Sequence, residues 1–539
     1  MEAHTLTERQ TGSPPSATGP EPGRGPTAPP WREWLRSPLT LSVAACVALA
    51  ALSVAVLPTV PSYDPWSWVV WGREVVDPHL SFSLGGGPSW KPLPVIFTTV
   101  FGLFGGAAPT LWVAAARAGG LLALPAAYRL ARRLLPGAPA WAGVTAGLIA
   151  VAGVVLTQDW FYYMYRGTSE PLLIATSLWA VDRHLAGHRE SAFVLGVATS
   201  LMRPEAWPFL GIYAIWLWLR EPSLRTRALL VLGLAAVPFF WFVPPWISTG
   251  HPFLAASHAH QYNGHLGSSP FITVLHRGVD IQVLPALIAA VAALGLARWR
   301  RVDRLVLWLA GLVVAWWVVV VGMTLVGYPG LERFYLPAAA LICVLAGVGV
   351  VGLAQLGGEA VRGVGGRVGG ARVRGARVRG ARFPAWVVPA ALTLVLVGVS
   401  VAVPATRSRA AEVRSQERIA SRAVTRLDQL SAAVAAVGGH RGVYPCRSSF
   451  ASVNHSAQTA LAFKLHVTLG RVGTAMRHQG LLFLGPHDSI DGGAPAINRR
   501  LTRRQLIATV GAWQVYRLTV PGASTRCVGG RRLAAGVSG

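Results

Sequence analysis

The stretch "PSYDPWSWVVWGREV" (residues 61–75) follows the first long apolar run of the chain, at the point where a membrane helix should reach the surface. It places one acid, Asp64, between a tyrosine and a proline and close to three tryptophans. Aromatic side chains of this kind are enriched where a membrane helix meets water. The stretch is therefore either an interfacial belt with an incidental acid or a catalytic carboxylate held at the membrane surface.

The composition indicates a polytopic membrane protein. Of 539 residues, 53% are hydrophobic and 13% are charged, a balance far more apolar than that of a soluble domain. The net charge of +27 comes mostly from arginines in short loops between apolar runs or in the C-terminal region. That distribution argues against nucleic acid as a partner. The Arg-rich loop 356–383 is expected to contact anionic headgroups of membrane lipids.

The chain contains a series of apolar runs close to the roughly 20 residues that a membrane span needs. These runs occupy residues 39–60, 109–128, 139–158, 170–186, 228–248, 281–297, 305–327, 334–355 and 384–404. A shorter run, 92–106, is expected to lie along the surface. The stretch 191–219 is either one long helix or two short ones, broken at Arg203-Pro204-Glu205.

Charge in the loops decides between these two alternatives. Short cytoplasmic loops carry an excess of lysine and arginine, and the basic segments are 128–134, 220–227, 298–304 and 362–382. With the N-terminus inside, all four fall on the cytoplasmic side only if 191–219 crosses the membrane twice. We therefore predict a mainly α-helical bundle of about eleven spans, with the polar loops of its membrane half on the outer face.

The sequence divides into six predicted segments. These are a disordered cytoplasmic N-terminus (1–38), a transmembrane bundle with external loops (39–355), a basic cytoplasmic loop (356–383), a last transmembrane helix (384–404), a small extracytoplasmic α/β domain (405–530) and a disordered tail (531–539). The α/β assignment rests on a helical charge pattern from residue 405 onward, followed by apolar and β-branched stretches.

The strand candidates in that domain are "GVYPC" (442–446), "LLFLG" (481–485) and "WQVYRLTV" (513–520). The same domain holds Cys446 and Cys527. If it lies outside the cell, these two cysteines are candidates for a disulfide.

Charged residues on the predicted outer face suit a lipid-linked phosphate. Lys91 begins the short apolar segment, Arg203 lies at the helix break and Arg333 begins a late span. Three cations entering one cavity at headgroup depth would favour a phosphate diester. The alternatives are that Lys91 and Arg333 only extend to the headgroups from helix ends, and that Arg203 pairs with Glu205.

Metal and nucleotide signatures are weak. His251, His258, His260 and His265 share one loop, but their spacing matches no strong zinc pattern. The glycines at 85–87 lack the lysine and helix that follow in a phosphate-binding loop. A divalent metal is therefore not indicated, and no cofactor is assigned.

Five motifs occur in order within residues 39–355: "YDPWSWVVWGRE", "WKPLPVIFTTVFGLFG" (90–105), "AAYRLARRLLPG", "YRGTSEPLL" (165–173) and "RFYLPA" (333–338). This series resembles the GT-C superfamily of integral-membrane glycosyltransferases, which use polyprenyl-phosphate sugars. The superfamily includes the protein mannosyltransferase and lipid A aminoarabinose transferase families. The family pattern carries two neighbouring acids in the first external loop, whereas Asp64 has no adjacent acid.

The resemblance implies a role for each matched residue. Asp64 would be the general base on an acceptor hydroxyl, and Lys91, Arg203 and Arg333 would bind the donor phosphate. Further candidates for substrate or acceptor contacts are Trp66, Tyr165, Glu170, Glu205 and His260. Trp66, Trp68 and Trp71 would either offer ring faces to sugar or lipid or form an ordinary interfacial belt.

The expected function is transfer of a sugar, mannose or arabinose, from a polyprenyl-phosphate donor to a glycan, lipid or protein acceptor outside the plasma membrane. Two alternatives from other classes stay open. A transporter or flippase for a lipid-linked substrate would also use a broken helix and cavity charges. A non-catalytic membrane scaffold would use the external domain to bind a partner.

Overall fold

The computed structural model describes residues 38–84, 87–261, 269–300, 304–368 and 404–530. The chain separates into two compact units, Met1–Ala45 and Cys46–Gly539. Most of the predicted N-terminal segment 1–38, the predicted last span 384–404 and the predicted tail 531–539 lie outside the described residues, apart from Pro38 and Pro404.

The described part of the membrane half is helical. Its helices are α1 Pro38–Val56, α2 Tyr63–Val76, α3 Pro92–Gly102, α4 Ala108–Arg133, α5 Ala140–Val155, α6 Trp160–Arg166, α7 Glu170–Leu185, α8 Arg189–Ser200, α9 Trp207–Arg220, α10 Leu224–Thr249, α11 Leu254–Gln261, α12 Pro270–Asp280, α13 Leu284–Arg300, α14 Arg304–Leu325 and α15 Leu336–Val368. Each apolar run predicted to span within the described residues coincides with one of these helices.

Several of these helices could cross a membrane. Among the described residues, 5 are long and apolar enough to do so, or up to 7 spans if each of two bent helix pairs counts as one. The bent pairs are α5 with α6, at 66°, and α12 with α13, at 93°. The chain is therefore a multi-pass membrane protein, and the count of eleven stays a prediction.

The break predicted within 191–219 is present. Helix α8 ends at Ser200, a 3₁₀ turn covers Pro204–Ala206, and α9 begins at Trp207. The carbonyl oxygen of Ser200 accepts hydrogen bonds from the indole nitrogens of Trp207 at 3.1 Å and Trp241 at 2.9 Å. Side chains thus supply donors at a point where the helix ladder is interrupted.

Helix α15 extends further than expected. It continues to Val368, into the segment 356–383 that was predicted to be a loop from its first residue. No proline occurs between Pro337 and Pro384, so nothing in this part of the backbone forces the helix to end. The rest of that segment, 369–383, lies outside the described residues.

The C-terminal region is a small α/β structure. Its elements are α16 Pro404–Ala436, α17 Gly439–Val443, β1 Ala451–Val453, α18 Gln458–Lys464, β2 Val472–Gly473, β3 Ala475–Met476, β4 Gly480–Leu484, β5 Ala496–Ile497, β6 Arg503–Val510 and β7 Trp513–Thr519. One sheet has the strand order β2-β1-β4-β7-β6, and β3 pairs with β5. Strand β1 is parallel to β2 and β4, whereas β7 is antiparallel to β4 and β6.

Two of the three strand candidates are strands. "LLFLG" overlaps β4 and "WQVYRLTV" contains β7. "GVYPC" is not a strand, because Gly442 and Val443 complete the short helix α17 that follows Gly438 in a left-handed conformation. Its valine is buried by helix packing instead.

The apolar core is continuous between helix α2 and the C-terminal sheet. Trp68 and Trp71 of α2 belong to the same buried cluster as Phe483 and Trp513 of the sheet. The C-terminal region therefore packs on the segment that carries Asp64.

Cys446 and Cys527, the pair singled out in the sequence, form a disulfide across a sequence separation of 81 residues. Closing a loop of this length restricts the unfolded chain and contributes about 4 kcal/mol. We expect a reductant to lower the melting temperature of the purified chain, as followed by circular dichroism. The Cys446→Ser/Cys527→Ser variant should melt at that lower temperature with or without reductant. If the melting temperature of the wild type did not change with reductant, the contribution assigned to this bond would be contradicted.

Candidate active site

Three cations surround one buried carboxylate. Glu170, the first residue of α7, is 0% exposed. Its Oε1 lies 2.7 Å from Arg203 Nη2, 3.4 Å from Lys91 Nζ and 4.0 Å from Arg333 Nη1. The three cations that the sequence singled out therefore meet at one point, which we call the Glu170 cluster (Lys91, Glu170, Arg203 and Arg333).

Each cation comes from a short stretch of backbone beside a helix end. Lys91 is the extended N-cap residue of α3, directly before Pro92. Arg203 is extended within the break between α8 and α9, at φ −145° and ψ 125°. Arg333 lies in the 3₁₀ turn before α15. The interrupted backbone therefore directs side chains from distant parts of the chain to the start of α7.

Lys91 and Arg203 are almost fully enclosed. Lys91 Nζ lies 2.6 Å from Ser169 Oγ and 5.3 Å from the centre of the Trp68 ring. The guanidinium carbon of Arg203 lies 4.5 Å from the centre of the Phe334 ring. Both contacts stabilise a cation that has lost its water. Burial still lowers the pKa of Lys91 to about 8, against the opposing attraction of Glu170.

The Glu170 cluster carries more positive than negative charge. Three cations share one carboxylate, and Arg333 is a third exposed, so the cluster is open to solvent on its side. Within the described part of the chain, the buried Nε atoms of Arg203 and Arg333 have no hydrogen-bond partner. A buried donor without an acceptor costs about 1–3 kcal/mol. The arrangement is therefore suited to an anionic ligand with several oxygen acceptors.

Asp64 lies beside the cluster. It is the second residue of α2 and is half-buried. Its Oδ1 accepts a hydrogen bond from the Ser89 backbone nitrogen at 3.1 Å, and its charge acts on both Lys91 and Arg333. Arg73, on the same helix, instead donates to the carbonyl oxygens of Phe463 and Val467. The Asp64 charge therefore interacts with two cations of the cluster, while the arginine on its own helix is directed to the C-terminal region.

The tryptophans of α2 are buried in the protein. Trp66 is 4% exposed and packs against Phe463 at 5.2 Å, while Trp68 packs edge-on against Trp112 at 5.5 Å. Trp71 is 1% exposed. They do not form an exposed interfacial belt, because α2 is covered by α3 on one side and by the C-terminal region on the other. A contact of Trp66 with substrate stays a prediction.

Three other predicted contact residues lie in different surroundings. Glu205 is buried in the 3₁₀ turn and does not pair with Arg203, whose carboxylate partner is Glu170. The guanidinium carbon of Arg117 lies 5.8 Å from the centre of the Tyr165 ring. His260 is exposed and contacts the Val326 carbonyl oxygen at 3.2 Å. Among the described residues, Glu205 therefore takes no part in the ion pairs of the cluster, and Tyr165 contacts a different arginine.

The contact of Ser169 with Lys91 and the position of Tyr163 near the cluster were not predicted from the sequence. Ser169 holds Lys91 Nζ, and the buried Tyr163 lies in the field of Glu170, Arg203 and Arg333. The only available signal was the density of tyrosines in "WFYYMYRGTSEP". That run contains three tyrosines, of which Tyr163 and Tyr165 are both buried, and nothing in the sequence indicates which one lies near the cluster.

An apolar cavity of about 560 Å³ lies between α7, α8, α9, α14 and α15. Ala206 and Pro337, one turn after Arg203 and Arg333, line one part of it. The other lining residues are Ser177, Ala180, Val181, His184, Ala192, Gly196, Thr199, Phe209, Leu210, Ile212, Tyr213, Trp216, Trp308, Leu312, Ala315, Trp316, Ala338 and Leu341. We call this cavity the apolar groove. It places a hydrocarbon environment next to the Glu170 cluster.

Removing the central carboxylate should destabilise the bundle. In Glu170→Gln, three cations lose their shared counter-charge, and breaking a buried ion pair in this way costs about 3–5 kcal/mol. Thermal unfolding in detergent should show a clearly lower melting temperature. The matched control is Glu221→Gln, whose pair with Arg189 is more than a third exposed on both sides and should contribute at most about 1 kcal/mol. Equal melting temperatures for the two variants would contradict the central role of Glu170.

Comparison with known proteins identifies the fold. Neither a protein-family model nor a curated protein matches the sequence. The crystal structure of ArnT from Cupriavidus metallidurans in the apo state aligns with a TM-score of 0.51 and 14% identity, covering 90% of this chain and 98% of that one. A crystal structure of the same protein bound to undecaprenyl phosphate aligns with a TM-score of 0.48 and 13% identity over 88% and 97% of the two chains. The chain therefore shares the fold of this ArnT structure, which agrees at the level of the fold with the resemblance seen in the sequence.

Proposed function

We propose that this chain is a membrane glycosyltransferase that moves a sugar from a polyprenyl-phosphate donor to an acceptor outside the cytoplasm. The observation that carries the proposal is the Glu170 cluster, which has the Asp64 carboxylate and the lining of the apolar groove as neighbours. A polyprenyl-phosphate sugar has the three matching parts: a hydrocarbon tail, an anionic phosphate and a reactive sugar carbon. The shared fold supports the same reading, since ArnT is an aminoarabinose transferase.

The proposed reaction is a single inverting displacement. An acceptor hydroxyl gives its proton to Asp64 while its oxygen forms a bond to the anomeric carbon of the donor sugar. The bond between that carbon and the phosphate oxygen breaks, and polyprenyl phosphate leaves. The half-buried position of Asp64 gives the acceptor access, and its hydrogen bond from Ser89 fixes the orientation of one carboxylate oxygen.

Lys91, Arg203 and Arg333 are proposed to bind the donor phosphate. Negative charge grows on the leaving oxygen as the sugar bond breaks, and fixed cations in a site with little water stabilise that charge most effectively. Glu170 holds the three cations in position before the donor arrives. The unpartnered Nε atoms of Arg203 and Arg333 supply donors for additional phosphate oxygens.

The C-terminal region is proposed to lie outside the cell and to help select the acceptor. Its disulfide favours an oxidising compartment. It also reaches the Asp64 end of α2, where Tyr63 donates a hydrogen bond to Gln458 at 3.0 Å and packs on His455 at 4.7 Å. An external C-terminal region is also what the proposed topology of eleven spans requires when the N-terminus is inside. Mannose or arabinose is the sugar implied by the sequence resemblance.

The Asp64→Asn variant tests the proposed base. With purified protein and synthetic polyprenyl-phosphate sugars, we expect sugar transfer to fall by about 10²- to 10⁴-fold, because the amide accepts no proton from the acceptor. The matched control is Asp428→Asn, which removes an exposed acid of α16 and should retain activity. Unchanged transfer by Asp64→Asn would overturn the enzyme assignment. If the protein in vesicles moved the intact donor from one membrane leaflet to the other without releasing sugar, it would instead be a flippase.

A second variant tests the tail-binding role of the groove. Ala315→Trp fills the groove from α14 and should raise the KM for a long-chain polyprenyl donor by about tenfold. A donor with one or two isoprene units should be used as well as before. The control is Val314→Trp on the same helix, since Val314 is exposed but does not line the groove. If both variants had equal effects, or if the short donor lost as much activity, binding of the tail in the groove would be contradicted.

A further inference from the structure

A second charge cluster lies at the opposite end of helix α7. Asp182, 12 residues after Glu170, is 0% exposed and lies about 18 Å further along the helix axis. Its carboxylate is bound by Arg183 Nη2 at 2.6 Å, Arg133 Nε at 2.7 Å and Arg129 Nη2 at 3.4 Å. We call this the Asp182 cluster (Arg129, Arg132, Arg133, Asp182 and Arg183).

The cluster joins the C-terminal ends of two helices. Arg132 and Arg133 occupy the last turn of α4, and Arg183 occupies the last turn of α7. A helix C-terminus carries partial negative charge, which also favours cations there. Four guanidinium groups against one carboxylate leave three positive charges in excess. The ion pairs within the cluster therefore leave it with a net positive charge.

These arginines are held in place rather than extended freely into water. Trp179 lies between two of them, with its ring centre 5.6 Å from the Arg129 guanidinium carbon and 5.4 Å from that of Arg183. Arg132 packs over the Tyr128 ring at 5.6 Å. An excess of arginine at this end follows from membrane topology alone, but topology does not require a buried aspartate to hold three of them. Fixed side chains lose less entropy when a ligand binds.

Hydrogen-bond donors of the arginines remain available on the exposed side of the Asp182 cluster. The side chains of Arg129 and Arg133 are 35% and 32% exposed. Arg133 reaches Asp182 through Nε, and in the described part of the chain its two Nη groups make no other hydrogen bond. Arg132 makes no ion pair within that part. The cluster therefore presents guanidinium groups with N–H bonds that find no acceptor among the residues described by the structure.

We propose that the Asp182 cluster binds the headgroup of an anionic phospholipid with two phosphates, a diphosphatidylglycerol. The site lies at the end of α4, which is long and apolar enough to cross a membrane, and at the end of α7, which the sequence predicts to be a span. The ends of spans lie at the depth of lipid phosphates, and basic pockets between such helices bind lipids of this class. Two phosphodiesters balance most of the three excess charges, and the planar guanidinium groups match their paired oxygens. This site is separate from the proposed sugar-transfer site and does not depend on it.

Native mass spectrometry of the purified full-length chain in detergent tests the proposal. Diphosphatidylglycerol, phosphatidylglycerol, phosphatidylcholine and inorganic phosphate are titrated separately. We expect diphosphatidylglycerol to bind at least tenfold more tightly than phosphatidylcholine. In Arg132→Gln/Arg133→Gln its Kd should rise by about tenfold. The matched control, Arg225→Gln/Arg227→Gln, removes the same charge from another basic segment and should leave the Kd unchanged.

Two results would overturn the assignment. Equal weakening in both double variants would show that general surface charge, and not this cluster, attracts the lipid. Binding of inorganic phosphate as tight as that of the lipid would show a simple anion site. Since Arg133 contacts Asp182, melting temperatures without lipid check the fold of the double variant. The single variant Arg132→Gln, which leaves the Asp182 pairs intact, should still weaken binding by several-fold, and an unchanged Kd in that variant would also contradict the proposal.

Discussion

The buried carboxylate of Glu170 is the interaction on which the geometry of the site depends. Taking one cation out of water is costly, and bringing three together in one place adds their mutual repulsion. Glu170 makes that arrangement stable by lying within 4.0 Å of all three. The three cations come from segments separated by more than a hundred residues, so the same ion pairs also fix how α3, the α8–α9 break and the start of α15 sit around α7.

Asp64 is held in position from the other side. Helix α2 packs against the C-terminal region through Trp66, and its far end is tied there by Arg73 and by the contact of Asp77 with His466 at 2.7 Å. Burial in this contact raises the pKa of the neighbouring Glu74 to about 7. The C-terminal region thus sets the orientation of the helix that carries the proposed base. A change in the C-terminal region that loosened this contact would move Asp64 without altering any residue of the Glu170 cluster.

Composition and periodicity predicted the elements well and their partners poorly. The apolar runs, the break at Arg203-Pro204-Glu205 and the three cations could all be read from local patterns of hydropathy and charge. The role of Glu170 could not, because its partners are distant in sequence and no spacing links them. Trp66 shows the same limit: an aromatic residue after an apolar run is typical of an interface, and only the position of Phe463 in space shows that it is buried instead. Strand β6 was missed because "RRQLIATV" begins with three polar residues.

The two ends of α7 show how burial decides what similar charges can do. Each end has one fully buried acid bound by three cations. At Glu170 two of the three cations are enclosed, so a ligand that binds there displaces little water. The hydrogen-bond donors of the site lie in a region of low dielectric constant, where electrostatic interactions are strong. At Asp182 two arginines are about a third exposed, and their interaction with an anion is screened by water and salt. The first environment is suited to stabilising charge that develops on one atom during a reaction. The second can only hold a charge that is already present, which is why we assign chemistry to one end of the helix and a lipid headgroup to the other.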